Sequence, residues 1–112
     1  MVEFSNLTNQ TPNRVFNTVY QNLTGRPIIV MASGSLDVPV AGTGTNVVAY
    51  VGPTNILTTD NIVAQEKTLD SQFIGGLMYT ITFIVPPNFY YKIQSYVDGS
   101  CTLNLDRWLE VL

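Results

Sequence analysis

Leu77-Met78-Tyr79-Thr80-Ile81-Thr82-Phe83-Ile84-Val85 decides the fold, because every odd position in it is apolar while Thr80 and Thr82 occupy the even side. Side chains that alternate with a period of two belong to an extended strand with one face turned to a core. The parity returns after Pro86-Pro87-Asn88, with Phe89, Tyr91, Ile93 and Val97 on one face and Lys92, Gln94 and Asp98 on the other. Pro86-Pro87-Asn88 reads as the turn between two strands. Asp98-Gly99 is a two-residue hairpin signal, since both residues tolerate a positive φ. Cys101 to Asp106 then alternates again, and the pattern resumes as Leu109 and Val111 after an interruption at Arg107. Such a break suggests a bulge or a paired edge. The segments from Leu77 to Leu112 together predict an antiparallel meander.

Upstream, Val15 to Gln21 is rich in β-branched and aromatic residues, Asn22 to Arg26 is turn-like, and Pro27 to Met31 is apolar. This predicts a second hairpin, with Pro27 at the first position of its strand because it lacks a ladder donor. Ser33 to Thr45 reads either as a weak edge strand or as an open loop. Val47 to Val51 is a strand ended by Gly52-Pro53, and Ile56 to Thr68 holds one or two short strands around Asp60-Asn61. Ala64 to Leu69 reads as a loop or strand end. Seven or eight short strands in about 100 residues predict an all-β fold, a two-sheet antiparallel β-sandwich or jelly roll.

The chain has 112 residues, enough for one domain. Residues 1–14 are mostly polar around Phe4 and Leu7 and read as an N-terminal arm, leaving 15–112 as a single sandwich domain. Charged residues are 12% of the chain and the formal net charge is −3, so counterion release gives no drive toward nucleic acid. The surface must instead be wetted by Thr, Asn and Gln, which suits packing against other proteins. The longest apolar run, Ile28 to Ala32, is far short of the roughly 18 residues of a spanning helix, and Met1-Val2-Glu3 opens without a basic n-region. The expectation is a soluble protein with no secretory signal and no membrane contact.

Histidine is absent and Cys101 is the single cysteine, so the commonest metal ligand and the usual general base are both missing. No Ser or Cys lies in a nucleophile motif, and Cys101 reads as a small buried hydrophobe. Asp98 with Asp106, or Glu66 with Asp70, would supply paired carboxylates, but each sits beside a turn signal or on a polar strand face. Ala41-Gly42-Thr43-Gly44-Thr45 lacks the lysine of a phosphate-binding loop. The N-x-[ST] triplets at Asn6, Asn9 and Asn22 are expected by chance in so Asn- and Thr-rich a chain. No catalytic residue, metal or cofactor is therefore assigned.

Aromatic residues remain. Tyr90, Tyr96 and Trp108 fall on the even parity of the last strands, opposite Ile81, Phe83, Ile93 and Leu105, which places them on an outer sheet face. Outward aromatics among polar neighbours mark a protein interface or a sugar-binding platform. The alternative is that the arm or a crossing loop covers that face and makes them satellite core. Arg107, beside Trp108, stacks there or pairs with Asp106 or Glu110. Tyr90, Tyr96, Arg107 and Trp108, with Phe4 and Leu7 of the arm, are the candidate interface.

Two segments carry a family resemblance. Val19-Tyr20-Gln21-Asn22-Leu23-Thr24-Gly25-Arg26-Pro27-Ile28-Ile29-Val30, and Phe83-Ile84-Val85-Pro86-Pro87-Asn88-Phe89-Tyr90-Tyr91-Lys92-Ile93 leading to Leu105-Asp106-Arg107-Trp108-Leu109-Glu110, resemble small β-sandwich proteins of tailed bacteriophages and prophages. The resemblance spans both ends of the chain and skips the middle from about Ala32 to Met78. It implies a non-enzymatic virion protein made in the bacterial host cytoplasm. The first expectation is a capsid decoration or cement protein that forms a homodimer or homotrimer and binds the major capsid protein. The alternative is a tail-fibre-tip or other tail module that binds a host receptor or surface glycan.

Overall fold

In a computed structural model that describes residues 7–67 and 74–112, the alternating segments become eight strands. They are β1 (Leu7–Asn9), β2 (Tyr20–Gln21), β3 (Ile28–Val38), β4 (Thr45–Gly52), β5 (Ile62–Lys67), β6 (Gly75–Val85), β7 (Tyr90–Val97) and β8 (Thr102–Val111). They form two four-stranded antiparallel sheets, β1-β8-β3-β6 and β2-β7-β4-β5, called here the first and second sheets. First pairs with last, second with seventh, third with sixth and fourth with fifth, as in one long hairpin wound on itself. This is the jelly-roll arrangement of an all-β sandwich.

Period-two alternation sets the core. Tyr79, Ile81, Phe83 and Val85 of β6 and Ile28, Val30, Ala32, Leu36 and Val38 of β3 are buried from the first sheet, against Val47, Ala49, Tyr91 and Ile93 of the second. Cys101 is a free thiol within that core. Gly34 sits at a close approach: a Cβ there would collide with the Asn104 carbonyl and stand 2.7 Å from the Tyr79 hydroxyl. The Tyr79 hydroxyl donates to that same carbonyl at 2.8 Å, which places its ring across the space a side chain at Gly34 would fill.

Four expectations change. The meander and the hairpin at Val15–Met31 are absent, because β2, β7 and β4 belong to the second sheet while β3, β6 and β8 belong to the first. Asn22–Pro27, Pro86–Phe89 and Asp98–Cys101 are therefore arches that carry the chain from one sheet to the other. A tight turn between alternating strands looks alike whether it folds back within a sheet or crosses to its partner. Of Ser33 to Thr45, the part to Val38 is half of β3, a strand between β8 and β6 and not an edge, while residues 39–44 form the loop to β4. Ala64 to Lys67 is regular strand within β5, preceded by a 3-10 turn at Thr59–Asn61.

The Asn22–Pro27 and Pro86–Phe89 arches are clasped together by one residue. Asn22, buried, donates its amide to the carbonyls of Arg26 at 2.7 Å and Val85 at 3.0 Å, and its Oδ1 accepts from the Thr24 backbone N–H and hydroxyl at 3.1 and 2.7 Å. Its backbone N–H donates to the Phe89 carbonyl at 2.9 Å, and its own carbonyl accepts from the Asn88 N–H at 2.8 Å. The Asn22-Leu23-Thr24 triplet is thus a turn with its amide consumed internally. It also joins the two segments that carry the family resemblance.

Candidate functional site

The bulge that positions the site lies in β8. Ser33 pairs with Arg107 and the next residue, Gly34, with Leu105, so Asp106 is the extra residue on β8. An extra residue reverses the faces of everything beyond it. Leu103 and Leu105 point inward before the bulge; after it Trp108 and Glu110 point inward, and Leu109 and Val111 point out. Trp108 is accordingly a correction: it is fully buried rather than on an outer face. Its ring packs within the sandwich against Tyr20, while the polar N-terminal stretch binds only its backbone: Gln10 N–H donates to the Trp108 carbonyl at 2.8 Å and Trp108 N–H to the Thr11 hydroxyl at 2.9 Å.

Around Trp108 a closed polar cluster forms. The Glu110 carboxylate accepts from the Tyr91 hydroxyl at 2.7 Å, the Trp108 indole N–H at 3.0 Å and the Arg14 guanidinium at 3.2 and 3.3 Å. Arg14 also lies 4.5 Å over the ring of Tyr20, whose edge meets Trp108. Burial is the largest single influence and opposes the Arg14 charge, but the hydrogen bonds and charge attraction of Glu110 and Tyr91 together outweigh it and leave the Arg14 pKa raised. The Tyr91 pKa is raised as well, first by burial and then by the bond to Glu110. The donors converging on this carboxylate tie together β7, β8 and the stretch that precedes β2. Sequence reading missed Arg14, because it stood in a polar segment far from its partner. The cation expected beside Trp108 was Arg107, which is exposed on the outer face opposite Ser33.

Two outer faces remain available to partners. On the first sheet, the outward residues Leu7, Val111, Ile29 and Ile84 stand directly opposite one another, forming an apolar row across all four strands. Leu7 and Ile29 are more than a third exposed and Ile84 is 62% exposed. Leu109 and Met31, half-buried, extend the row by one register step. Of the two arm residues expected at an interface, Leu7 is exposed in this row and Phe4 lies outside the described residues.

On the second sheet, β7 turns Tyr90, Lys92, Gln94 and Tyr96 outward beside Tyr50 of β4. The Tyr50 and Tyr96 hydroxyls are 3.1 Å apart and Lys92 lies 4.7 Å over the Tyr50 ring. The hydrogen bond with Tyr96, then burial, push the Tyr50 pKa up to about 12. Tyr90 and Tyr96 therefore share an outer face, as the alternation of β7 predicts, while Trp108 does not join them. Tyr50 was missed because Asn46, Val48 and Tyr50 alternate with the equally apolar Val47, Ala49 and Val51.

Among the described residues there is no pocket and no cluster of three or more metal-ligating side chains. No helix there is long and apolar enough to cross a membrane. Comparison with protein-family models, with curated proteins and with solved structures gives no match in any of the three.

Proposed function

We propose that this chain is a non-enzymatic structural protein of a tailed-phage virion, a capsid decoration or cement protein that associates with itself and with the major capsid protein. The observation that carries this reading is the outward apolar row Leu7, Val111, Ile29 and Ile84, which loses exposed hydrophobic surface only by meeting another protein. The jelly roll supplies the flat, rigid face on which such a row can lie. The resemblance of the Asn22 and Pro86-Pro87 segments to phage β-sandwich proteins supports the virion setting.

The test is to label the protein and image intact particles. Signal over the whole head is the expected result, with heads lacking the protein less resistant to heat. Signal confined to the distal tail would sink the decoration role. A tail module is the second reading, favoured by the exposed Tyr96 with Tyr90 and Lys92 on the same face, whose rings and hydroxyls suit a host surface glycan. Under that reading Tyr96→Ala abolishes saturable binding to host cells.

A further inference from the structure

The four edge strands of the sandwich are not equally protected. β1 and β2 are 3 and 2 residues long, too short to template a partner. β5 has 6 residues, ends in Glu66-Lys67 and is irregular, its register against β4 shifting between Ala49 and Tyr50. β6 has 11 residues with no charge, no proline and no shift anywhere in its pairing with β3. Among the described residues β3 is its only ladder partner, so its other side presents backbone donors and acceptors. Proteins that must remain monomeric guard such an edge with charge, proline, a bulge or brevity.

The sequence of β6 also reads the same in both directions. Outward from Ile81 come Thr80 and Thr82, then Tyr79 and Phe83, then Met78 and Ile84, then Leu77 and Val85. At each step the two residues belong to one chemical class. In a two-fold antiparallel pair each residue meets the one equally far from the centre on the other chain. A strand patterned in this way therefore matches threonine with threonine, aromatic with aromatic and aliphatic with aliphatic when it pairs with itself, and such cross-strand pairs stabilise a sheet. Met78 and Ile84 are 83% and 62% exposed, and this register sets each against the other's copy.

We propose that two copies of this chain join edge to edge through β6, antiparallel about a two-fold axis at Ile81 and perpendicular to the sheet, making one eight-stranded sheet from two first sheets. This rests on the self-associating reading above and names the surface by which copies meet. The apolar row of each copy then runs toward the shared seam, where Ile84 meets Met78 of the second copy.

The experiment is sedimentation equilibrium of the full chain over a concentration series, with a cross-linking arm. Wild type is expected at twice the 12.4 kDa chain mass. The double variant Thr80→Lys/Thr82→Lys opposes like charges on both sides of the axis and is expected to raise the dissociation constant by about tenfold or more. Both sites are exposed, and an unchanged circular dichroism spectrum and melting temperature show that the variant is folded. Under mild oxidation, a mixture of Thr80→Cys and Thr82→Cys chains is expected to form a disulfide dimer. Neither alone forms one, because like positions lie diagonally, about 7–8 Å apart. A wild type that stays monomeric overturns this pairing and the self-association in the proposed function together. A dimer indifferent to the lysine pair, with no cross-link in the mixture, overturns the β6 surface and leaves self-association standing. A β6-paired dimer found on no particle supports the surface and overturns the virion reading instead.

Discussion

The phenol of Tyr91 in the second sheet donates to the carboxylate of Glu110 in the first at 2.7 Å, so a polar bond crosses the sandwich interior and ties its layers together. The carboxylate also holds Trp108 and Arg14. Glu110→Ala leaves three donors without their acceptor and is expected to cost about 3–5 kcal/mol. Glu110→Gln keeps the shape and loses the charge, for about 1–3 kcal/mol. Urea unfolding, read as the shift in midpoint at constant slope, separates the two.

Alkali is expected to weaken the fold, because it ionises tyrosines that the folded chain keeps protonated. Burial holds the pKa values of Tyr91 and Tyr79 above the ordinary 10.0, and the hydrogen bond with Tyr96, then burial, put Tyr50 at about 12. Above pH 10 the unfolded chain loses protons that the folded chain retains, so unfolding is increasingly favoured as pH rises through the folded values. Below pH 10 this contribution is fully present. Denaturation midpoints measured across that range should fall, and Tyr91→Phe should make the fall shallower.

Asn22→Asp is expected to be among the most damaging single-atom changes. It aims a buried carboxylate oxygen at the carbonyls of Arg26 and Val85, where the amide now donates. The expected loss is about 3–5 kcal/mol, the scale of an uncompensated buried charge. Thermal unfolding followed by circular dichroism checks it, with a midpoint near that of wild type ruling out the clasp.

Gly34→Ala brings a Cβ into the Asn104 carbonyl, which is backbone and cannot swing aside. A cost of about 1–3 kcal/mol is expected. Tyr79→Phe removes the hydroxyl from the same carbonyl and should cost about 1–2 kcal/mol. Because both changes act on the one Asn104 carbonyl, the double variant should fall short of the sum, as a double-mutant cycle will report.

Aromatic substitutions should divide by burial. Trp108→Ala is expected to lose about 3–5 kcal/mol and to abolish any function by unfolding. Tyr96→Ala, at a half-exposed site, should lose about 1 kcal/mol, the worth of its bond to Tyr50, and remain folded. Chemical denaturation of both variants beside a binding assay distinguishes a lost surface from a lost fold.

The strand content was legible because alternation in β6, β7 and the first half of β8 is a local property, carried by neighbours two residues apart. Which sheet each strand joins was not, since Pro86-Pro87-Asn88 turns the chain equally well in a hairpin or an arch. Trp108 was misplaced for a related reason. One additional residue at Asp106 reverses the parity, and nothing in the letters distinguishes a bulge that restores the pattern from one that inverts it. Tyr96 came out on an accessible face because no irregularity separates it from the alternation that predicted it, whereas Leu7 was read as part of a polar arm and its place in a strand was not predicted. Arg14 was invisible because its partner lies at the other end of the chain.

The position of β8 between β1 and β3 sets the order in which the molecule can be completed. β3 and β6 can pair as soon as both have been synthesised, but β3 keeps an open side until the last strand arrives, and Arg14 waits for its carboxylate over the same interval. Closing such long loops is entropically slow, which places folding toward the millisecond-to-second range of non-local β topologies. During that time the vacant slot beside β3 accepts β8 from any chain. Newly made copies at high local concentration are therefore exposed to strand exchange, in which the final segment of one molecule finishes another.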